Sequence, residues 1–248
     1  MSILDTTKKE FDFELNNFEN LLNNAENMSR QFPTLVKIYS INNAHGTLHF
    51  LFSRNIRLIQ QSYKLVKDGY YTEALIIIRS AMEGALLGRY FAKNPLMLNE
   101  WHESQEEISK EIDPKIKWEL RKKREKKYSP ESIRTEIAAG NEKLQKDIRD
   151  VYSVLSDFTH PSILKEGDFL KGKPGSYSIV IEPYFHKGLF IDWFKAAALV
   201  LSTNMKIIEI FYKNKVFEHL GKPFIFELKE MAEQIMKLMH CLPKDEGE

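Results

Sequence analysis

The 11 glycines and 9 prolines of this 248-residue chain fall in clusters, and the long stretches between them carry apolar residues at helical spacing. That punctuation restricts the fold more than any single motif. In residues 8–28, Phe11, Leu15, Phe18, Leu22 and Ala25 recur at three- and four-residue steps, the period of one helix face. "RQFPTL" is expected to end this helix and turn the chain. A second stripe, Leu48, Leu51, Phe52, Ile56, Ile59 and Tyr63, predicts a helix over about 46–67. Gly69 then supplies a C-terminal glycine, and Thr72 is placed to cap the next helix. That helix spans about 72–93 and stops at "KNP". Shorter helices follow near 95–110, 114–127 and 130–139, then a longer one at about 141–159, halted by "HP". "GKPG" followed by the β-branched "YSIVI" predicts a small hairpin within 168–182. Long helices at about 187–214 and 224–240 complete the chain.

The expected fold is therefore all-α: one domain over 1–248, built as a bundle of four to five long helices. Its core draws on about 8–93 and 141–240, with a charged helical insertion at about 95–139. At 43% hydrophobic and 29% charged residues, the composition is that of an ordinary globular protein. A formal net charge of +1 gives the whole molecule no field that attracts polyanions, so any such patch must be local. The single cysteine, Cys241, makes no intrachain disulfide, and a reducing cytoplasm is expected. Beside His240 near the tail, it is an incidental thiol rather than a nucleophile. The first residues lack the basic-then-apolar order of a signal peptide. "ALIII" and "AAALVL" are far too short to span a bilayer, so no membrane partner is expected.

The stretch "EALIIIRSAMEGALLGRY" places two charges, Arg79 and Glu83, among apolar residues. On a helical wheel Glu83 falls about 40° from Arg79, with Leu86 at about −20° and Tyr90 at about 20°. The opposite side carries Ala74, Ala81, Gly84 and Gly88, which permit close approach of another helix. Both sides should be covered, which predicts the central helix of the bundle. A buried charge is costly unless paired. Four residues apart, Arg79 and Glu83 can pair. They form either an internal ion pair that fixes helix register or half of a polar site completed by other helices.

On the helix at 141–159, Leu144, Ile148, Val151, Leu155 and Phe158 form the core stripe. Beside it runs a polar row of Arg149, Tyr152, Ser156 and His160. His160 precedes Pro161 and so belongs at the C-terminal cap, where the dipole favours its protonated form. It is either only a cap or a group for proton transfer or phosphate contact.

"GYYTEALIIIRSAMEG" followed by "YSVLSDFTHPS" resembles a family of uncharacterised bacterial all-helical proteins. The matching positions are Gly69, Tyr71, Glu73, Ala74, Arg79, Ser80, Glu83, Ser156, His160 and Pro161. That family is similar in architecture to HEPN domains, many of which are metal-independent ribonucleases in toxin and phage-defence systems. The resemblance implies a cytoplasmic protein that binds or cleaves RNA or binds nucleotides as a stress or defence effector. It also implies a homodimer. For cleavage it would assign proton transfer to His160 and phosphorane stabilisation to Arg79, with Ser156 and Glu83 positioning them.

One departure is plain. HEPN ribonucleases carry an arginine and a histidine four to six residues apart on one helix. Here Arg149 precedes His160 by eleven positions, about 16 Å along a helix. Arg79 is the replacement cation, provided the two helices pack together.

"KIKWELRKKREKK", residues 115–127, holds eight basic and two acidic residues. Arg121, Lys122, Lys123 and Arg124 are the candidate nucleic-acid contacts, with Trp118 able to stack on a base. The acidic "HESQEEISKEID" before it can instead neutralise this run. His45 and His49 are four apart but lack the glutamate of a zincin helix, so no metal site is expected. No phosphate loop, dinucleotide fingerprint or nucleophile elbow is present, and no cofactor is expected. Against the RNA or nucleotide reading stands a non-enzymatic sensor or adaptor that docks a partner protein through its charged insertion.

Overall fold

The structure, a computed structural model, describes residues 3–38, 43–159, 170–173, 176–179 and 187–219, with Glu230, Glu233, Gln234 and Lys237. Side chains are described over 11–31, 46–157 and 187–210 and at those four residues. The described fold is all-α in its packed part. Its helices are α1 (Ile3–Ile38), α2 (Asn43–Lys67), α3 (Tyr71–Lys93), α4 (Pro95–Lys110), α5 (Pro114–Lys127), α6 (Pro130–Ile137), α7 (Glu142–Thr159) and α8 (Lys187–His219). Two four-residue strands, Leu170–Lys173 and Ser176–Ile179, pair antiparallel with Leu170 opposite Ile179. The helix expected at 224–240 lies outside the described residues, apart from the four named above.

α1 differs most from expectation. It does not end near residue 28 but continues through Pro33 to Ile38. Proline removes the N–H that would bond the carbonyl four residues earlier, here that of Ser29. α2 takes up that carbonyl: His49 Nε2 lies 3.3 Å from Ser29 O, and Ser53 Oγ lies 2.6 Å from Ser29 Oγ. The helix survives its proline because a neighbouring helix satisfies the orphaned acceptor.

The turn from α2 to α3 follows from Gly69, whose φ of 83° suits glycine. Tyr70 N–H bonds Leu65 O at 2.9 Å and Gly69 N–H bonds Val66 O at 3.0 Å, the pair of bonds that closes a helix on a left-handed residue. The capping role expected of Thr72 is not realised. α3 starts at Tyr71, and the residue at its N-cap, Tyr70, makes no side-chain capping bond. The Schellman turn already directs the chain into the new helix.

α3 is the central helix, in contact with α2, α4, α6, α7 and α8. Its small residues let α2 and α8 approach closely. A Cβ added at Gly84 would sit 2.3 Å from Asn55 Oδ1, and one at Gly88 would sit 2.4 Å from Ile207 Cδ1. Asn55 is fully buried and donates to Asn204 Oδ1 at 3.0 Å, while Asn204 donates to Phe52 O at 3.0 Å. These bonds tie α2 to α8 across the core. About two turns further along α2, Trp193 Nε1 donates to Ser62 Oγ at 3.2 Å and ties the same two helices again.

Two aromatic groups complete the packing. Phe11 stacks on Phe190 at 4.2 Å, and Phe18 meets Trp193 and Phe194 at 5.6 and 5.3 Å. These contacts join α1 to α8. At the other group Phe91 meets Trp101 and Tyr128, each at 5.8 Å. That second group fastens the charged segment to α3. Leu98, Ile133 and Ile137 from the same segment belong to the common core, so α4 and α6 are part of the bundle. Among the described helices α5 alone buries no residue. Among the described residues no helix is long and apolar enough to cross a membrane.

Candidate functional site

The wheel put Arg79 and Glu83 in the middle of a covered face. The structure moves them to its border. The outward strip of α3 runs through Glu73, Ile76, Ser80, Glu83 and Leu87, with Ile76 and the Glu83 side chain each 42% exposed. The Arg79 side chain is 19% exposed and leans toward α7. Leu86 and Tyr90 are buried as expected, so the helix phase was right and the width of the cover was not.

The two charges do meet. Arg79 Nε lies 3.3 Å from Glu83 Oε1. The pair is also completed from another helix: Tyr152 Oη donates to the same Glu83 oxygen at 3.0 Å, and Arg79 Nη2 reaches Tyr152 Oη at 3.5 Å. An ion pair within α3 and a contact from α7 therefore occur in one cluster. Helices α3 and α7 do pack together, as a replacement role for Arg79 requires.

A second guanidinium joins them. Arg79 Cζ lies 5.3 Å and Arg134 Cζ 5.2 Å from the centroid of the Tyr152 ring. Stacking on a partly buried ring stabilises each cation by about 1 kcal/mol. Arg134 makes no ion pair among the described residues. Burial pushes the Tyr152 hydroxyl above its ordinary range, and the adjacent Glu83 carboxylate acts in the same direction, against the opposing effect of Arg79. Tyr152 therefore stays protonated at neutral pH and is a hydrogen-bond donor rather than a base. Both bonds to Glu83 use Oε1; among the described residues Oε2 accepts none.

Ser156, one turn beyond Tyr152, donates to the Tyr152 carbonyl at 2.7 Å. It continues the polar row on α7 but its hydroxyl bonds backbone. His160 lies outside the described residues. Arg149 is exposed beside Asp150, 3.8 Å away, so the polar row turns to solvent there. Sequence reasoning missed Arg134, which sits beside the apolar Ile133 and Ile137 of α6 and carries no local sign of its neighbour on α7. Tyr152 was visible in the polar row, though its place between two arginines was not. On the α2 side of α3, Arg54 Nη2 donates to Ser80 Oγ at 2.9 Å.

The four basic candidates on α5 separate. Arg121 is exposed. Lys122 pairs with Glu125 at 3.0 Å, both exposed. Lys123 and Arg124 instead line a cleft of about 230 Å³ between α4 and α5, together with Glu100, Glu103, Glu107 and Tyr128. Lys127 forms an ion pair with Glu100 across it. Residues 100–113 hold six acidic groups and one lysine, so the acidic run does neutralise one side of the basic helix. Arg124 Nη1 is buried there without an acceptor among the described residues.

The histidines described elsewhere make protein contacts: His102 Nε2 lies 2.9 Å from Thr47 Oγ1, and His49 serves Ser29. Among the described residues no three His, Cys, Asp or Glu side chains converge as a metal ion would require. No known protein family, no curated protein and no solved structure matches the chain.

Proposed function

We propose that this protein binds a phosphate-bearing ligand of the RNA or nucleotide class at the Tyr152 cluster, in line with the resemblance of its motifs to a bacterial family that is HEPN-like in architecture. The observation that supports this most is the convergence of Arg79 and Arg134 on one tyrosine ring beside a single carboxylate. Guanidinium forks match phosphate oxygens in geometry and charge. Arg134 has its hydrogen-bonding capacity uncommitted to any carboxylate among the described residues. Glu83 Oε2 suits a ribose hydroxyl or a base amino group as donor.

Binding needs only these groups. Cleavage needs a proton-transfer group besides, and Tyr152, held protonated, does not accept one. That role falls to His160. Purified protein titrated with labelled ATP and a short RNA tests both parts. Arg79→Met and Arg134→Met should each weaken binding at least tenfold, while His160→Ala should keep binding and remove any cleavage. Wild-type affinity in both arginine variants would sink this reading.

A second reading, a sensor or adaptor without catalysis, is favoured by one observation: α5 buries no residue and leaves a basic helix available to a partner. Absence of nucleotide and RNA binding by the wild type would select it.

A further inference from the structure

The docking of α5 on α4 divides its cations into two sets with different fates. Leu120, Lys123, Arg124 and Lys127 line the cleft against the glutamates of α4. On the far side, Lys115, Trp118, Lys122 and Lys126 are all exposed. Their steps of three, four and four residues keep them within an arc of about 80°, in a line about 16 Å long. Trp118 is 59% exposed, and Lys122 Nζ lies 5.9 Å from its ring centroid. Lys115 and Lys126 form no ion pair among the described residues. The Lys122–Glu125 pair, with both side chains more than half exposed, offers little resistance to a competing phosphate.

We propose that this outer stripe of α5 is a binding surface for single-stranded nucleic acid, with Trp118 stacking on an unpaired base and the three lysines tracking the backbone. Its chemistry excludes the other polyanions in turn. A lipid interface or a protein hot spot needs aliphatic or clustered aromatic area; the exposed Ile112 precedes α5 and the exposed Ile116 lies about 100° from Lys115, toward the cleft, so the stripe itself holds one indole among lysines. A duplex keeps its bases stacked on one another, whereas an exposed indole offers its face to a base already free. The surface lies on α5, whereas the Tyr152 cluster is built by α3, α6 and α7, so it does not rest on that site.

The full chain is titrated with a fluorescein-labelled 12-mer of oligo(U) at low and moderate salt, read by anisotropy. The Lys115→Glu/Lys122→Glu/Lys126→Glu variant should lose at least a hundredfold in affinity. Its dependence of log K on log salt should flatten by about two units, as expected when three lysines no longer displace counterions from a single strand. Trp118→Ala should bind about tenfold more weakly, and quenching of indole fluorescence by the oligomer should vanish in Trp118→Phe. All four positions are exposed, so circular dichroism and the urea midpoint should stay near wild type. ATP binding at the Tyr152 cluster should persist in the lysine variant, so the two sites fail separately. The proposal is overturned by wild-type affinity in the lysine variant, by no binding of the oligomer at 50 mM salt, or by an equal loss in Lys123→Glu on the inner side. Binding of the wild type to anionic phosphatidylserine vesicles but not to the oligomer would also overturn it.

Discussion

α3 and α5 both carry charge on a helix, yet α3 buries 13 of its 23 residues and α5 buries none. The difference lies in what surrounds each. α3 has neighbours along most of its circumference, and Arg79 and Glu83 are accommodated there because they are paired and placed at the border of the cover. Among the described residues α5 packs chiefly on α4, through opposite charge and the aromatic group at its base. Apolar contact fixes α3 in one position; between α5 and α4 the Lys127–Glu100 pair, which salt weakens, adds to the contacts of Leu120, Ile108 and Tyr128.

The largest effect is expected at the closest approach around α3. Gly84→Ala forces a methyl against Asn55, whose amide is locked to Asn204, and should cost about 2–3 kcal/mol even after the helix propensity gained from alanine. Gly88→Ala meets only the end of the Ile207 side chain and should cost less. Urea denaturation reads both, and equal losses would show that the buried asparagines do not hold α2 and α8 in place.

At the border of the same helix, Arg79→Met should cost about 1 kcal/mol, because the pair is part-exposed and Tyr152 still bonds Glu83. No change in stability together with unchanged ligand binding would leave the cluster without a role. An alkaline titration probes the tyrosines. Burial, then the bond to Glu19, push the Tyr63 hydroxyl far above its ordinary value, and burial raises Tyr152. The folded state thus favours the protonated phenols. Their stabilisation is full below about pH 10, the unfolded value, and is lost as pH rises toward the folded values. Stability curves of Tyr63→Phe should fall less steeply above pH 10 than those of the wild type.

The smallest effect belongs to α5. A double-mutant cycle on Lys127 and Glu100 should give about 0.5 kcal/mol at low ionic strength and nearly nothing in molar salt. A coupling above about 2 kcal/mol would mean that the hairpin of α4 and α5 is fixed as firmly as the core.

Most of the fold was legible because helical period and Gly/Pro punctuation are local properties. α4 and α5 were read to the residue, since Pro95 and Pro114 each occupy a first helical turn and fix where it starts. The end of α1 was not, because the acceptor freed by Pro33 is satisfied from α2, which no local rule shows. The candidate site was half legible. The spacing of Arg79 and Glu83 announced their pairing, and α7 displayed Tyr152. Arg134 reaches the site from 18 residues away, and only tertiary packing reveals that. The cover over α3 was overestimated because a wheel shows which residues share a face, not how far a neighbouring helix extends over it, and Ile76 beside that face is 42% exposed.

The contact between α1 and α2 at Ser29 has a further consequence. A carbonyl oxygen only accepts, so His49 must carry its proton on Nε2, and in the neutral ring Nδ1 holds the lone pair. Pro33 thereby selects one tautomer of a residue on a different helix. Restoring a backbone donor with Pro33→Ala would bring a second N–H to the Ser29 oxygen, whose two lone pairs would then be shared between that donor and His49 in a contest of alignment. The nitrogen chemical shifts of the His49 ring would record that contest, making a proline substitution visible in the tautomer balance of a distant imidazole.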